Sequence, residues 1–309
     1  MRTYSIDLGG TFIKLAAIED GEILREDQLA VNPLDTTAQR MAAVAAVLQD
    51  WRGHGVSANA AGIAFAGITD PVGCRVLSVN GKYLDAASFD FPAWAAGQGL
   101  ALAMDNDANA ALLGEVRFGA AKGSGDAVIL ILGTGIGTAA MMGGAMIRGR
   151  HFQAGCLGGH FTVGHKGRPC NCGSRDCAEA YAATWALPAL AQERPGFAAS
   201  ALAREPLVDY KTLTHWARQG DPVAEGLLED CIGVWSAVVK NLVHAYDPEV
   251  VVLSGGVLRS ADLIVEPLRA RVLADVWTPW GTVDFRVAAH PERSVLLGMH
   301  HLACERMRG

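Results

Sequence analysis

Two aspartates and three glycine turns in this 309-residue chain are spaced for phosphate chemistry. Asp7-Leu8-Gly9-Gly10-Thr11, with Lys14 three positions on, sits at the first turn, at the end of a segment that reads as a strand. Glycine leaves room for backbone N–H groups to close on phosphate oxygens, threonine adds a hydroxyl donor, and an aspartate can hold the water shell of Mg2+. A plain hairpin explains the same residues. Gly133-Thr134-Gly135-Ile136-Gly137-Thr138 is a second turn, equally readable as phosphate cradle or hairpin. It has the G-x-G-x-G form of a dinucleotide fingerprint, but that fingerprint needs a helix directly after the turn. Residues 139–147 read instead as strand, turn, strand, which disfavours a nicotinamide oxidoreductase. Ser254-Gly255-Gly256-Val257 is the third turn, a strand-to-loop break where backbone could meet adenosine. No G-x-x-x-x-G-K-[ST] sequence occurs, so P-loop chemistry has no support.

Asp105-Asn106-Asp107-Ala108-Asn109-Ala110-Ala111 joins a strand end to a helix start. A carboxylate at or near the N-cap is favoured by the unpaired N–H groups there, so Asp107 reads as an ordinary cap. It reads also as a general base that accepts the proton of a substrate hydroxyl while Asn106 orients the substrate. Phosphoryl transfer asks mainly for positioning, charge neutralisation and such a base. Cys170, Cys172 and Cys177 form C-x-C-x4-C, with His160 upstream. Three thiolates and one imidazole make a closed tetrahedral Zn2+ site of the structural kind. A disulfide fits less well, because Cys170 and Cys172 are too close to pair easily and one thiol is left over. His165 competes with His160 as fourth ligand. The other four of the seven cysteines are scattered and read as small buried hydrophobes.

The elements that must hold these residues follow from periodicity. Residues 3–8 and 12–18 read as strands around the first turn, and a third strand near 22–29 completes a meander. Met41, Val44, Ala45, Leu48 and Trp51 recur at helical spacing. Residues 61–65 and 101–104 are short buried strands, the second followed by a helix over 108–117. After a polar break at 122–126 the plan repeats, with strands at 127–132, 136–142 and 145–147. A long helix carried by Leu228, Ile232, Trp235, Val239 and Leu242 stops at Asp247-Pro248, since proline disfavours helix in the residue before it. A buried strand at 250–253 and a final helix over 293–305 complete the chain. A meander plus helices, occurring twice, predicts an α/β protein of two related lobes with a central cleft.

Length supports two domains, at ~100–200 residues each. The expected boundaries are 1–118 with about 292–309, and 119–291. A net charge of −6 without a basic block argues against a nucleic-acid partner. The first residues lack the pattern of a secretory signal, and no run of ~18 apolar residues is free of charge, Gly-rich turns or proline. A cytoplasmic protein without a membrane partner is expected.

Together these motifs resemble the repressor, open reading frame and kinase (ROK) family of sugar kinases. The resemblance covers almost the whole chain: Asp7-x-Gly9-Gly10-Thr11-x-x-Lys14, Ala66-Gly67, Asn106-Asp107-Ala108-Asn109-Ala110-Ala111, Gly133-Thr134-Gly135-x-Gly137, Gly159-His160, the cysteine string followed by Glu179, and Ser254-Gly255-Gly256. It implies an actin-like ATPase (ribonuclease H-like) fold in which the C-terminal helix returns to the N-terminal lobe. It implies too an ATP-dependent kinase with Asp107 as the base on a hexose 6-hydroxyl. Sugar contacts are then expected at Gly67, Asn80, Asn106, Asp107, His160 and Glu179. Phosphates, Mg2+ and adenosine are expected at Asp7, Gly9, Gly10, Thr11, Lys14, Gly133, Thr134, Gly135, Gly255 and Gly256. Structural Zn2+ is expected at His160, Cys170, Cys172 and Cys177. The implied partners are a small sugar and ATP, and a second copy of the chain, because family members are often dimers. Some members are repressors with an N-terminal helix-turn-helix; this chain begins on the phosphate motif, so no such arm is expected.

One stretch departs from the family. Family kinases usually carry Ala-Gly-Glu, one apolar residue, then Gly-His, whereas this chain has Ala154-Gly155-Cys156-Leu157-Gly158-Gly159-His160. The glutamate is missing and one residue is added. That glutamate accepts hydrogen bonds from sugar hydroxyls, and losing a buried acceptor costs ~1–3 kcal/mol toward a sugar that needs it. Asp176 stands where the family prefers glycine. The pocket is therefore expected to suit a sugar other than glucose, or a modified one. The alternative is a sugar or nucleotide sensor that keeps the fold without catalysis, and the donor is open between ATP and polyphosphate.

Overall fold

A strand buried on both faces belongs inside a sheet, and β1 (Arg2–Leu8) sits there. The computed structural model describes residues 1–79, 83–165 and 167–308; Asn80, expected as a sugar contact, lies outside them. After β1 come β2 (Phe12–Glu19), β3 (Glu22–Ala30), α1 (Thr37–Gly53), β4 (Ala60–Phe65), β5 (Gly67–Asp70), β6 (Arg75–Val79), α2 (Phe91–Gly97), β7 (Ala101–Asn106) and α3 (Asp107–Phe118). The first sheet has the order β3-β2-β1-β4-β7. β2 runs antiparallel to β1, and β4 and β7 run parallel to it. β4 is buried throughout, as a central parallel strand must be, whereas β3 at the edge exposes most of its side chains. A capping box between Thr36 and Gln39 starts α1, whose Met41, Val44, Leu48 and Trp51 pack on Tyr4, Ile6 and Ile63. The β5–β6 hairpin was not legible as strands in the sequence.

The same plan recurs with β8 (Ala127–Leu132), β9 (Ile136–Met142) and β10 (Ala145–Met146). Then follow α4 (Glu179–Ala182), α5 (Leu187–Gln192), α6 (Tyr210–Arg218), α7 (Pro222–Tyr246), β11 (Val250–Ser254), α8 (Ala261–Asp275) and β12 (Asp284–Val287). The second sheet has the order β10-β9-β8-β11-β12, with β8 and β9 antiparallel and β11 parallel to β8. The side chain of Asp221 caps α7 and Pro222 opens it; the helix ends at Asp247 in the left-handed region, before Pro248. Trp235, Val239 and Leu242 of α7 join Val128, Leu130 and Val251 in one core. No helix among the described residues is long and apolar enough to cross a membrane.

Chain contacts divide the protein into two compact units. One is Met1–Gly123 with Arg148–Ala154 and Ala289–Gly309; the other is Ser124–Ile147 with Gly155–Ala288. The final helix, α9 (Pro291–Arg306), belongs to the first unit and lies against α3. A glycine pair allows this approach. A Cβ added at Gly298 would come within 2.7 Å of the Ala110 carbonyl carbon, and one at Gly114 within 2.8 Å of the Ser294 carbonyl carbon. Because both obstacles are backbone, Gly298→Val should destabilise the first unit by about 3 kcal/mol or more. A denaturant titration of the variant against wild type checks this; an unchanged midpoint would contradict the close packing.

Candidate active site

Parallel pairing brings the chemistry of the first unit to one sheet edge. Asp7 is paired with Ala64 and Phe65 with Asn106, so β1, β4 and β7 all end beside the glycine turn at residues 9–11. Asp7 is buried and faces Lys14 across the hairpin, with Nζ 3.9 Å from Oδ2. Burial pushes the Asp7 carboxyl up to about 6 against the pull of Lys14. Asp107 is half-buried as the first residue of α3, and its Oδ1 accepts from the Ala108 N–H at 2.9 Å. Burial first, and then the Asp7 charge, raise its carboxyl to about 7. A carboxyl in that range sits where a general base for neutral pH is wanted.

The cap of α3 is Asn106, one residue before Asp107. Its Oδ1 accepts from the N–H groups of Ala108 at 2.9 Å and Asn109 at 3.2 Å, while its Nδ2 donates to the Gly67 carbonyl at 3.0 Å. Two residues escaped sequence reasoning. Asp105 is buried, accepting from the Asn106 N–H at 2.8 Å, from Asn109 Nδ2 at 2.9 Å and from both Nε and Nη2 of Arg148, the first at 3.0 Å. This ion pair clamps the strand end that carries Asn106 and Asp107. A third acid at a buried strand position was the available signal, since such a charge requires a partner. Tyr83 donates its hydroxyl to the Gly9 carbonyl at 2.9 Å and stacks its ring 4.2 Å from the Arg40 guanidinium. Nothing in the local spacing pointed to it.

In the second unit the two remaining glycine turns meet. The parallel pairing of β8 with β11 sets Ser254 beside Ile131, and Gly255 follows at φ +102°. A Cβ at Gly255 would come within 2.7 Å of the Leu132 backbone nitrogen, so both conformation and space demand glycine. The β8–β9 turn closes with the Gly133 N–H on the Gly135 carbonyl at 3.1 Å, leaving Thr134 exposed. Nearby, the ligand atoms of His160, Cys170, Cys172 and Cys177 all lie within 4.8 Å of one another. Glu179, two residues past Cys177, accepts at Oε1 from the Ile136 N–H at 2.8 Å.

Comparison with known proteins gives the wider setting. The ROK family profile matches residues 3–306. The chain belongs to the ROK family. It is 32% identical to a glucokinase from Thermotoga maritima, across all of this chain and 99% of that one. A ROK family glucokinase from Streptomyces griseus, solved in complex with glucose and AMPPNP, is 30% identical with a TM-score of 0.82, covering 99% of this chain and 100% of that one. A ROK hexokinase from Thermus thermophilus, 29% identical, also superposes with a TM-score of 0.82 over 100% of this chain and 99% of that one. This chain has the actin-like ATPase fold of these kinases, two sheets built to one plan.

Both departures from the ROK pattern have a local structural basis. Gly158 and Gly159 lie on β9: the Gly158 N–H donates to Thr138 Oγ1 at 2.8 Å, and a Cβ at Gly159 would come within 3.1 Å of the Ile136 carbonyl carbon. Cys156 and Leu157 are half-buried, and neither supplies a carboxylate. Asp176 has φ +59°, a conformation that glycine adopts without strain and aspartate tolerates. Its carboxylate accepts from the Tyr181 hydroxyl and from the N–H groups of Gly167 and Arg168, which hold it below the usual carboxylate range.

Proposed function

We propose that this ROK chain is an ATP-dependent sugar kinase, phosphorylating a hexose or modified hexose at the 6-hydroxyl with Asp107 as general base. The observation that carries this reading is the pair of carboxylates at one sheet edge, Asp7 in the phosphate turn and Asp107 raised to about 7 at the start of α3. Asp107 accepts the hydroxyl proton as the sugar oxygen attacks phosphorus. Asp105, clamped by Arg148, keeps the Asn106-Asp107 backbone in place for that transfer. Gly9, Gly10, Thr11 and Lys14 in the first unit, and Gly133, Thr134 and Gly135 in the second, each offer N–H, hydroxyl or ammonium groups to phosphate oxygens. Gly255 and Gly256 offer backbone to adenosine. Among the described residues the cation paired with Asp7 is Lys14, at 3.9 Å, and the buried carboxylate suits a hydrated Mg2+, which would neutralise phosphate charge.

The thiol cluster also fits its metal. A tetrahedron with Zn–S arms of ~2.3 Å has edges of about 3.8 Å. The Cys170 Sγ to His160 Nδ1 distance is 3.8 Å and the Cys172 to Cys177 Sγ distance is 3.7 Å. Nδ1 of His160 faces the sulfurs, so Nε2 is the atom left to donate to a sugar hydroxyl. With no position open to water, Zn2+ here would be structural. Gly67, Asn106, His160 and Glu179 complete the proposed sugar contacts.

A panel of hexoses and amino sugars, assayed for ATP-dependent phosphorylation with the product position read by NMR, tests this function. A sugar other than glucose should be the best substrate, because the acceptor lost near Cys156 and Leu157 costs a glucose-type pocket ~1–3 kcal/mol, about fivefold to 150-fold in kcat/KM. Glucose as the best substrate would refute the reshaped pocket and leave the kinase standing. The missing glutamate also motivates a second reading, a sensor without catalysis. Sugar binding with no phosphate transfer across the panel would favour it.

A further inference from the structure

The segment that leaves the metal cluster runs straight onto the second glycine turn. Cys177 is fully buried, and residues 178, 182 and 183 are alanines packed into the core of the second unit. From this rigid base three hydrogen bonds reach residues 133–136. The Ile136 N–H donates to Glu179 Oε1 at 2.8 Å, and the Thr184 hydroxyl donates to the Gly133 carbonyl at 2.6 Å. The Trp185 N–H lies 3.5 Å from the Thr134 carbonyl. Trp185 Nε1 donates to the second carboxylate oxygen of Glu179 at 3.3 Å, so each oxygen of that carboxylate already serves the turn or its support. Gly135 lies so close to Glu179 that a Cβ there would overlap the carboxylate.

Peptide planarity turns these contacts into a direction. In a trans peptide the C=O and the following N–H point opposite ways. Holding the Gly133 carbonyl on Thr184 therefore aims the Thr134 N–H away from Thr184. Holding the Thr134 carbonyl toward the Trp185 backbone N–H aims the Gly135 N–H away from that backbone in the same manner. Donors preset in this way spend nothing on reorganisation when an anion arrives. The resemblance to ROK kinases assigns Glu179 to the sugar, yet its observed partners are the turn and Trp185.

We propose that Thr184 is a positioning residue for the Gly133–Gly137 turn, through which the Cys177 loop governs nucleotide affinity. The inference rests on the kinase reading above, in which that turn binds phosphate. Thr184→Val removes the hydroxyl and keeps the shape. It should raise the Kd for AMPPNP, measured by calorimetry without sugar, by about tenfold, and raise KM for ATP likewise. Sugar Kd should stay within about twofold, and Thr184→Ser should restore nucleotide binding. Thr184→Ala decides independently, also if the valine variant fails to fold. Weaker nucleotide binding with sugar affinity kept supports a turn-positioning role, whereas weaker sugar binding with nucleotide affinity kept overturns it. Wild type stripped of zinc by a chelator, then freed of chelator and returned to Mg2+, should bind nucleotide more weakly in the same calorimetric assay; unchanged nucleotide affinity after zinc loss overturns the link to the loop. Failure of wild type to bind nucleotide at all would count against the kinase reading itself.

Discussion

Asp107→Asn should lower kcat by about 10²–10⁴-fold, the usual contribution of a positioned general base, while sugar affinity stays close to wild type. The amide keeps the size and the hydrogen bond that Asp107 accepts from Ala108, so folding should be untouched. What it cannot do is take a proton from the attacking hydroxyl. The same residue sets the pH dependence. Burial and the Asp7 charge raise Asp107 to about 7, so the carboxylate form is lost as pH falls through that value. Below it kcat/KM should drop close to tenfold per unit, and the fall should steepen under pH 6, where Asp7 also protonates. A kcat/KM profile from pH 5 to 9 measures this directly. Unchanged turnover in the asparagine variant, or a flat profile down to pH 5.5, would remove Asp107 from the mechanism.

Cys177→Ser should reduce bound zinc from one per chain to near zero, read by atomic emission on protein purified without chelator. Cys177 is the most deeply buried member of the set, and its Sγ lies 3.7 Å from that of Cys172. A hydroxyl there is a poor zinc ligand and leaves a polar group in an apolar pocket. A cross-link over loops of this size is worth about 2–4 kcal/mol by analogy with a disulfide. For a unit of this size that is roughly 5–10 °C in melting temperature. Cys74→Ser serves as the control, because Cys74 lies in the other unit and bonds backbone carbonyls. A wild-type protein that binds no zinc, or a serine variant that keeps it, would discard the metal assignment.

Much of the scaffold was legible because its signals are local. The turns around Gly9-Gly10 and Gly133–Gly135 announce hairpins, and both meanders appear where alternating apolar runs flank them. α7 was readable from its 3.6-residue stripe and from Pro248 at its end. The strands β5, β6 and β12 and the short helices between residues 179 and 218 were not, because four to nine residues carry too little periodicity to stand out. The cap of α3 was placed one residue too vaguely: Asn106 is the N-cap, taking the N–H groups of Ala108 and Asn109, and Asp107 is the first helical residue, its Oδ1 on Ala108.

By itself the sequence determined which residue types could do chemistry, the glycine turns that could close on phosphate and the spacing of three thiols on one short loop. Those depend on neighbours within ten positions, where chain geometry leaves few choices. Tertiary structure alone decided the rest. Asp105 meets Arg148 across 43 positions, Tyr83 reaches Gly9 across 74, and Thr184 holds Gly133 across 51. Gly298 and Gly114 are glycines because two helices far apart in sequence touch backbone to backbone. The physical reason is common to all of them. A partner supplied by another element leaves no periodic trace around either residue, since its position is set by how sheets and helices pack.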